Sequence, residues 1–356
     1  MPKKIFLETH NLKNRATGLG TFNYELIKGF SNIDLQNYEL VLNSKNPTDL
    51  ESEFGKIFKY HQYKSISRYA LFRNRDNHDL WHSVNQNTKI EPFKVKNYLL
   101  TVHDVNFVVE ETGEERKKSE TFFSNKLAKS SAITYISEYA KTQTHLFFEV
   151  PNVPEFVIHN GNPISKLVDI SNFKSSFPTE KPFFYSIGDF IPRKKFETII
   201  EMMLHIDDFN LIISGNYNKP YGELIKNLVI EKKLEKKVFL TGRVDDVAKQ
   251  FYLSKCAAFL FPSSLEGFGL PPIEAMSFGK PIFLSNKTSL PEIGGSDCFY
   301  WDNLEPDYMK TILIDGLNYF ENNKLEMEKL MKKRAASFDW KIAANKYLDV
   351  YSQILY

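Results

Sequence analysis

The sequence predicts an α/β protein of two Rossmann-like, doubly wound parallel-sheet domains. Short apolar runs alternate with longer amphipathic stretches along the whole chain. Several runs are apolar throughout, as strands covered on both faces must be. A Ser-, Pro- and Lys-rich segment at 162–182 separates two such series. The 356 residues suit two domains, at roughly 100–200 residues each.

The strand candidates of the first half are KIFLET (4–9), YELVLN (38–43), DLWHSV (79–84), NYLLTVHD (97–104), AITYIS (132–137) and FVIHNG (156–161). Those of the second half are PFFYSIG (182–188), FNLIISG (209–215), KVFLTG (237–242), AAFLFPS (257–263) and PIFLSN (281–286). Between them lie helical patterns such as TFNYELIKGF and KFETIIEMML. Alternating strand and helix implies right-handed crossovers and parallel pairing. The expected domains are 1–165 and 181–337, and the closing DWKIAANKYLDVYSQILY (339–356) reads as one amphipathic helix. Ligands of open parallel sheets bind beyond the carboxyl ends of the strands, so the loops after these runs are where chemistry is sought.

Composition narrows the classes. Lys+Arg 46 against Asp+Glu 44 leaves a net charge of +2, which argues against a protein that coats nucleic acid. Cys256 and Cys298 sit among apolar neighbours and form neither a disulfide framework nor a zinc pattern. The first apolar run, Ile5-Phe6-Leu7, is too short for a secretion-signal core. No run of about 18 apolar residues crosses a bilayer. A reducing, cytoplasmic setting is the expectation.

The strongest local pattern is PSSLEGFGLPPIEAMSFGKPIFLSN (262–286). A buried strand ends at Pro262, and a turn Glu266-Gly267-Phe268-Gly269-Leu270 follows. Pro271 and Pro272 open a short helix, where proline is tolerated. The N–H groups at such a helix start suit an anion. Glu266 and Glu274 flank the turn with seven residues between them. One carboxylate suits a ribose diol and the other a second polyol. Two solvated glutamates beside a glycine turn are the plain alternative, and spacing alone does not separate them.

In GDFIPRKKF, the strand ends at Gly188 and Arg193, Lys194 and Lys195 open a helix. Cations are misplaced at a helix N-terminus unless an anion sits between them. A solvated basic turn is the alternative. In the segment Asn14–Gly20, Gly18 and Gly20 permit close backbone approach, although the full dinucleotide fingerprint is absent. His103, at the end of LLTVHD, suits a substrate hydroxyl. His82 has a similar address and reads as structural. No DxD-type carboxylate pair ends a strand where a metal-bound nucleotide would need it.

Taken in order, these residues resemble the retaining glycosyltransferases of the GT-B fold, the large family 4 of sugar-nucleotide enzymes (glycosyl transferases group 1). Glu266 to Met276 with Gly279-Lys280-Pro281 is similar to that family's paired-glutamate signature. Ser289-Leu290-Pro291-Glu292, LTGRV, VIHNGN, TVHDV and GLGTF follow in family order, so the resemblance spans almost the whole chain. It implies two domains facing across a cleft, with the last helix (340–356) crossing back to the first. It implies a nucleotide-diphosphate sugar bound mainly by the second domain and a glycan or lipid-linked acceptor bound mainly by the first. It implies no cofactor and no metal. Arg193 and Lys194 would neutralise the leaving diphosphate, Glu274 would hold the ribose, and Glu266 would contact the donor sugar. Backbone groups of Gly267, Phe268, Gly269 and Leu270 would meet phosphate or sugar oxygens. Gly188, at the end of its strand, would also bind the donor. Gly18 and Gly20 would admit the diphosphate, and His103 would lie against the transferred sugar.

Many members carry Arg where this chain has Asp189. A mannosyltransferase-like subgroup instead carries Arg-Lys after a proline, as Pro192-Arg193-Lys194 does, and this leans the expectation towards GDP-mannose. Two other readings stay open: a non-hydrolysing sugar-nucleotide epimerase of the same architecture, and a non-catalytic sugar-nucleotide binder. The basic and apolar segment 61–75 reads as an ordinary surface helix, with contact to an anionic inner-membrane face as the alternative.

Overall fold

The computed structural model describes residues 1–15, 17–164 and 166–356. Ala16, within the first glycine turn, and Ser165, the expected end of the first domain, lie outside the described residues. The chain divides into two compact units, Met1–Pro163 with Phe338–Tyr356, and Ile164–Ser337.

The first unit is a seven-stranded parallel sheet: β1 (Lys3–Leu7), β2 (Tyr38–Ser44), β3 (Lys59–Gln62), β4 (Leu80–Ser83), β5 (Tyr98–Val102), β6 (Ala132–Tyr135) and β7 (Glu155–Val157). Their order is β3-β2-β1-β4-β5-β6-β7. The second unit has six strands: β8 (Phe183–Ile187), β9 (Asn210–Ser214), β10 (Val238–Gly242), β11 (Ala258–Phe261), β12 (Ile282–Ser285) and β13 (Phe299–Trp301). Their order is β10-β9-β8-β11-β12-β13, again parallel. Each unit thus reverses its winding direction between its first and fourth strands. The crevice where such a sheet binds ligands opens there, past the carboxyl ends. β4, β5, β6 and β11 are buried at every residue, as their unbroken apolar character requires.

The last helix, Trp340–Leu355, belongs to the first unit. Asp339 caps it by accepting from the N–H groups of Lys341 and Ile342. Two glycines make room for it. A Cβ on Gly29 would stand 2.5 Å from the Trp340 carbonyl oxygen, and one on Gly161 would stand 2.3 Å from the Trp340 nitrogen. The glycine of VIHNGN is therefore occupied by packing. Tyr351 donates to, or accepts from, His82 Nδ1 at 2.8 Å, and Thr101 Oγ1 meets His82 Nε2 at the same distance. His82 is structural, as its setting in the sequence indicated.

Three local expectations are corrected. Residues from Ile164 onward pack on the second unit instead of forming a spacer. Val168 N donates to Gln250 Oε1 at 3.0 Å, and the Phe173 and Phe251 rings lie 4.9 Å apart. Segment 61–75 is not a helix. It holds two short 3₁₀ turns, Ser65–Arg68 and Ala70–Phe72, with Tyr69, Leu71 and Phe72 exposed. Arg193 and Lys194 lie in a 3₁₀ turn, Pro192–Lys194, ahead of the helix Phe196–Met202 that they were expected to open. Among the described residues, no helix is long and apolar enough to cross a membrane.

Candidate active site

In the second unit β8 and β11 are neighbours, so the loops that leave them meet. Gly188 ends β8. A Cβ there would stand 3.1 Å from Lys194 Cε, so the missing side chain gives the lysine stem its path. Lys195 turns through a left-handed conformation, φ 54°, before the next helix begins. The Arg193 carbonyl is gripped by the β11 loop, where Ser264 N donates to it at 2.8 Å.

These contacts set Arg193 and Lys194 against Glu266. Lys194 Nζ lies 2.5 Å from Glu266 Oε1, and Ser263 Oγ donates to the same oxygen at 2.6 Å. Arg193 Nη1 donates to the Leu265 carbonyl at 2.5 Å and reaches Glu266 Oε2 at 3.4 Å. The Lys194 ammonium also stands 4.6 Å above the Phe261 ring, an additional attraction for a desolvated cation. Lys194 is 8% and Glu266 9% exposed. Burial alone raises a carboxyl pKa, but Lys194 and Arg193 outweigh it and hold Glu266 below the ordinary range. Burial lowers the Lys194 pKa against the opposing pull of Glu266. Two cations thus meet one carboxylate at the strand ends.

The turn after Glu266 is pinned from the loop after β12. Ser289 Oγ donates to the Phe268 carbonyl at 2.7 Å and lies 3.0 Å from the Glu266 carbonyl, and Glu266 N donates to Thr288 Oγ1 at 3.2 Å. Gly269, at φ 119°, precedes the helix Leu270–Met276. That backbone conformation is open to glycine and costly for other residues. Glu274 is buried on this helix, and Lys249 Nζ donates to its Oε1 at 2.9 Å. Burial raises the Glu274 carboxyl, with Lys249 pulling the other way. Sequence reading missed Lys249, on the helix Asp246–Lys255. Asp245 caps that helix by accepting from Ala248 N at 2.8 Å.

Within the first unit, His103 leaves β5. Its Nε2 donates to the Val84 carbonyl at 2.8 Å, and its backbone N–H donates to Gln86 Oε1 at 3.0 Å. A carbonyl only accepts, so the neutral ring keeps its lone pair on Nδ1. Burial lowers the His103 pKa to about 4 despite that carbonyl. The imidazole is therefore an acceptor at neutral pH and not a donor through Nδ1. Phe22 packs edge-on against it, 4.5 Å between centroids.

The two glycines after β1 part company. A Cβ on Gly20 would stand 1.9 Å from the Asn14 carbonyl oxygen, whereas nothing lies within 4 Å of one on Gly18. The close approach at Gly20 is made by the chain's own backbone, and only Gly18 faces open space. Glu8, unassigned from sequence, is buried just past β1 and bonded to His10 Nδ1 at 2.8 Å.

Residues 168–338 match the family model for glycosyl transferases group 1. In fold the chain has the GT-B architecture of two Rossmann-like parallel-sheet units, and the matched segment covers most of the second. The chain is 25% identical to the O-antigen biosynthesis glycosyltransferase WclY of Escherichia coli, over 60% of this chain and 60% of that one. It is 23% identical to the O-antigen chain mannosyltransferase B of Escherichia coli, over 98% and 99% of the two chains. In fold it is similar to a glycosyltransferase from Rickettsia africae, with TM-score 0.73, 16% identity and 99% coverage of both chains. It is also similar to Anabaena Alr3699/HepE in complex with UDP-glucose, with TM-score 0.71, 14% identity, and 99% and 100% coverage.

Proposed function

We propose that this glycosyltransferase moves a sugar, with retention of configuration, from a nucleoside-diphosphate donor to a glycan or lipid-linked glycan in surface-polysaccharide synthesis. GDP-mannose is the favoured donor. The observation that carries the reading is the Arg193–Lys194–Glu266 cluster at the carboxyl ends of β8 and β11. Its two cations suit a diphosphate leaving group, and charge fixed in advance is most effective where charge develops in the transition state. In this reading protein cations serve where other enzymes use a metal, and the chain requires no cofactor.

Glu266 takes the place of an anion while the site is open. When a donor diphosphate arrives, Arg193 and Lys194 share their hydrogen bonds with it, and Glu266 turns to a sugar hydroxyl. Glu274 accepts from the ribose diol. The bond between the sugar's anomeric carbon and the β-phosphate oxygen breaks as the acceptor oxygen bonds to that carbon on the same face. The acceptor's proton passes to the departing phosphate oxygen. His103, neutral with its lone pair on Nδ1, accepts from a hydroxyl of the transferred sugar. The lean to mannose rests on Pro192-Arg193-Lys194 and on the O-antigen chain mannosyltransferase B named above. A cytoplasmic setting, where sugar nucleotides are made, goes with this reading.

A panel of UDP-, GDP- and dTDP-sugars without acceptor tests it. Slow release of nucleoside diphosphate from one donor, undiminished by a chelator, is the expected result. A changed sugar on an intact nucleotide, or activity that needs added manganese, would overturn it.

A further inference from the structure

The turns Ser65–Arg68 and Ala70–Phe72 carry apolar side chains that the first unit does not bury. Ile66, Tyr69, Leu71 and Phe72 are all exposed, Leu71 at 72% and Phe72 at 51%. Single exposed apolar residues are ordinary, but four within seven positions form a patch that calls for a partner. Phe93 extends it. Its backbone N–H donates to the Asn74 carbonyl at 2.9 Å, its ring is exposed, and the Arg75 guanidinium stands 4.6 Å over that ring.

The charge around these side chains has one sign. Residues 54–75 contain six cations (Lys56, Lys59, Lys64, Arg68, Arg73 and Arg75) and no carboxylate. The other residues hold 40 cations against 44 carboxylates, so this segment carries the chain's positive excess by itself. Folding keeps charge and apolar surface together. Lys64, Phe72 and Arg75 share the lining of one cavity of about 220 Å³ with Gln62, the last residue of the edge strand β3, and Asp76 supplies the one carboxylate there. The turns are also hydrogen-bonded internally: Tyr69 N donates to the Ile66 carbonyl and Phe72 N to the Tyr69 carbonyl, each at 3.0 Å. Their side chains can enter an apolar layer without stripping water from those amides.

Apolar side chains ringed by cations match the layering of an anionic bilayer, whose phosphates lie just above its acyl chains. We propose that this face of the first unit binds the surface of an anionic phospholipid bilayer, with Tyr69, Leu71 and Phe72 entering the headgroup boundary and the surrounding cations against lipid phosphates. A second copy of the chain is the poorer occupant, since a two-fold contact would set one cationic face against another. Delivery of a lipid-linked acceptor to the enzyme from that bilayer rests on the transferase reading; the lipid contact itself does not.

The test is flotation of the full-length protein with vesicles of phosphatidylcholine alone or mixed with phosphatidylglycerol. Flotation with the mixed vesicles only is expected, and added salt weakens it. Each cation lost near the surface lowers the partition coefficient about fivefold, so Arg68→Gln/Arg75→Gln lowers it roughly 25-fold. Leu71→Ser/Phe72→Ser lowers it about tenfold or more at unchanged charge. All four positions are exposed, so both variants keep the parent's urea midpoint and its donor hydrolysis without acceptor. No flotation with the mixed vesicles, or equal flotation with phosphatidylcholine alone, overturns the proposal. Undiminished flotation of Leu71→Ser/Phe72→Ser also overturns it, and leaves a purely electrostatic patch suited to a soluble acidic partner. Hydrolysis without flotation removes the membrane contact alone. Flotation without hydrolysis removes the transferase reading and leaves the membrane contact.

Discussion

Lys194 and Glu266 are 72 positions apart in sequence, and their charged atoms are 2.5 Å apart in the fold. Parallel pairing of β8 with β11 brings them together, because each follows one of two adjacent strands at the point where the sheet reverses its winding. Removing both from water is costly, and good geometry with additional hydrogen bonds offsets that cost. Here Ser263, Arg193 and the Phe261 ring supply the additional contacts.

Lys194→Met keeps the stem that passes Gly188 and deletes the charge. Turnover falls roughly 10²–10³-fold, the range for losing one preorganised stabilising group. Affinity for the nucleoside diphosphate falls less, because an interaction that strengthens in the transition state acts mainly on turnover. Hydrolysis rates and calorimetric titration of the same variant check this. An unchanged turnover number removes Lys194 from the chemistry.

Glu266→Ala leaves the Lys194 ammonium buried and short of its carboxylate. Breaking a buried pair from one side costs about 3–5 kcal/mol, read as a lower urea midpoint. The double variant Lys194→Met/Glu266→Gln recovers much of that stability and none of the activity. If Glu266→Ala is as stable as the parent protein, the pair is not the compensated unit described above.

Much of this was legible in the sequence. Continuous apolar runs marked the buried strands, and the glycine turns after them marked where ligands are sought. The edge strands β3 and β13 escaped. Lys59–Gln62 is polar, and Phe299–Trp301 spans only three residues. The glutamates were visible because their spacing is local. Lys249 was not, because its contact with Glu274 joins two helices 25 positions apart. Nor does sequence separate Gly18 from Gly20, since the Asn14 carbonyl that crowds one of them is set by the folded turn.

That contrast is measurable. Gly20→Ala forces a Cβ into the Asn14 carbonyl oxygen, 1.9 Å away, and costs about 1–3 kcal/mol, as overpacking does. Gly18→Ala meets nothing within 4 Å and leaves stability unchanged. If Gly18 lies against the donor, Gly18→Ala weakens donor binding alone. Equal stability of the two variants, by thermal melting, contradicts the placement.

Glu274→Ala deletes the carboxylate assigned to the ribose. Donor affinity falls by about 1.5–3 kcal/mol, the worth of hydrogen bonds to a charged acceptor. Because burial raises the Glu274 pKa, affinity in the parent protein weakens as pH drops toward that raised value, before ordinary carboxylates protonate. Calorimetry across that range checks it, and a flat profile with full affinity in Glu274→Ala removes the ribose role.

His103 and His82 make the fold acid-sensitive in a calculable direction. Burial lowers His103 to about 4 and His82 to about 3 from an ordinary 6.5. Between those values and 6.5 the unfolded chain binds more protons than the folded one, so stability rises with pH through that window and is lost on acidification. Full acidification forfeits roughly 3 kcal/mol or more for each imidazole, at about 1.4 kcal/mol per pKa unit. His103→Gln removes one contribution, so its urea-derived stability falls less steeply than the parent's between neutral pH and about pH 4.5. The His103 ring signals should also stay those of a neutral imidazole, protonated on Nε2, throughout the neutral range. A ring that titrates near 6.5 would show that His103 is solvated and would release it from the Val84 carbonyl that fixes its lone pair on Nδ1.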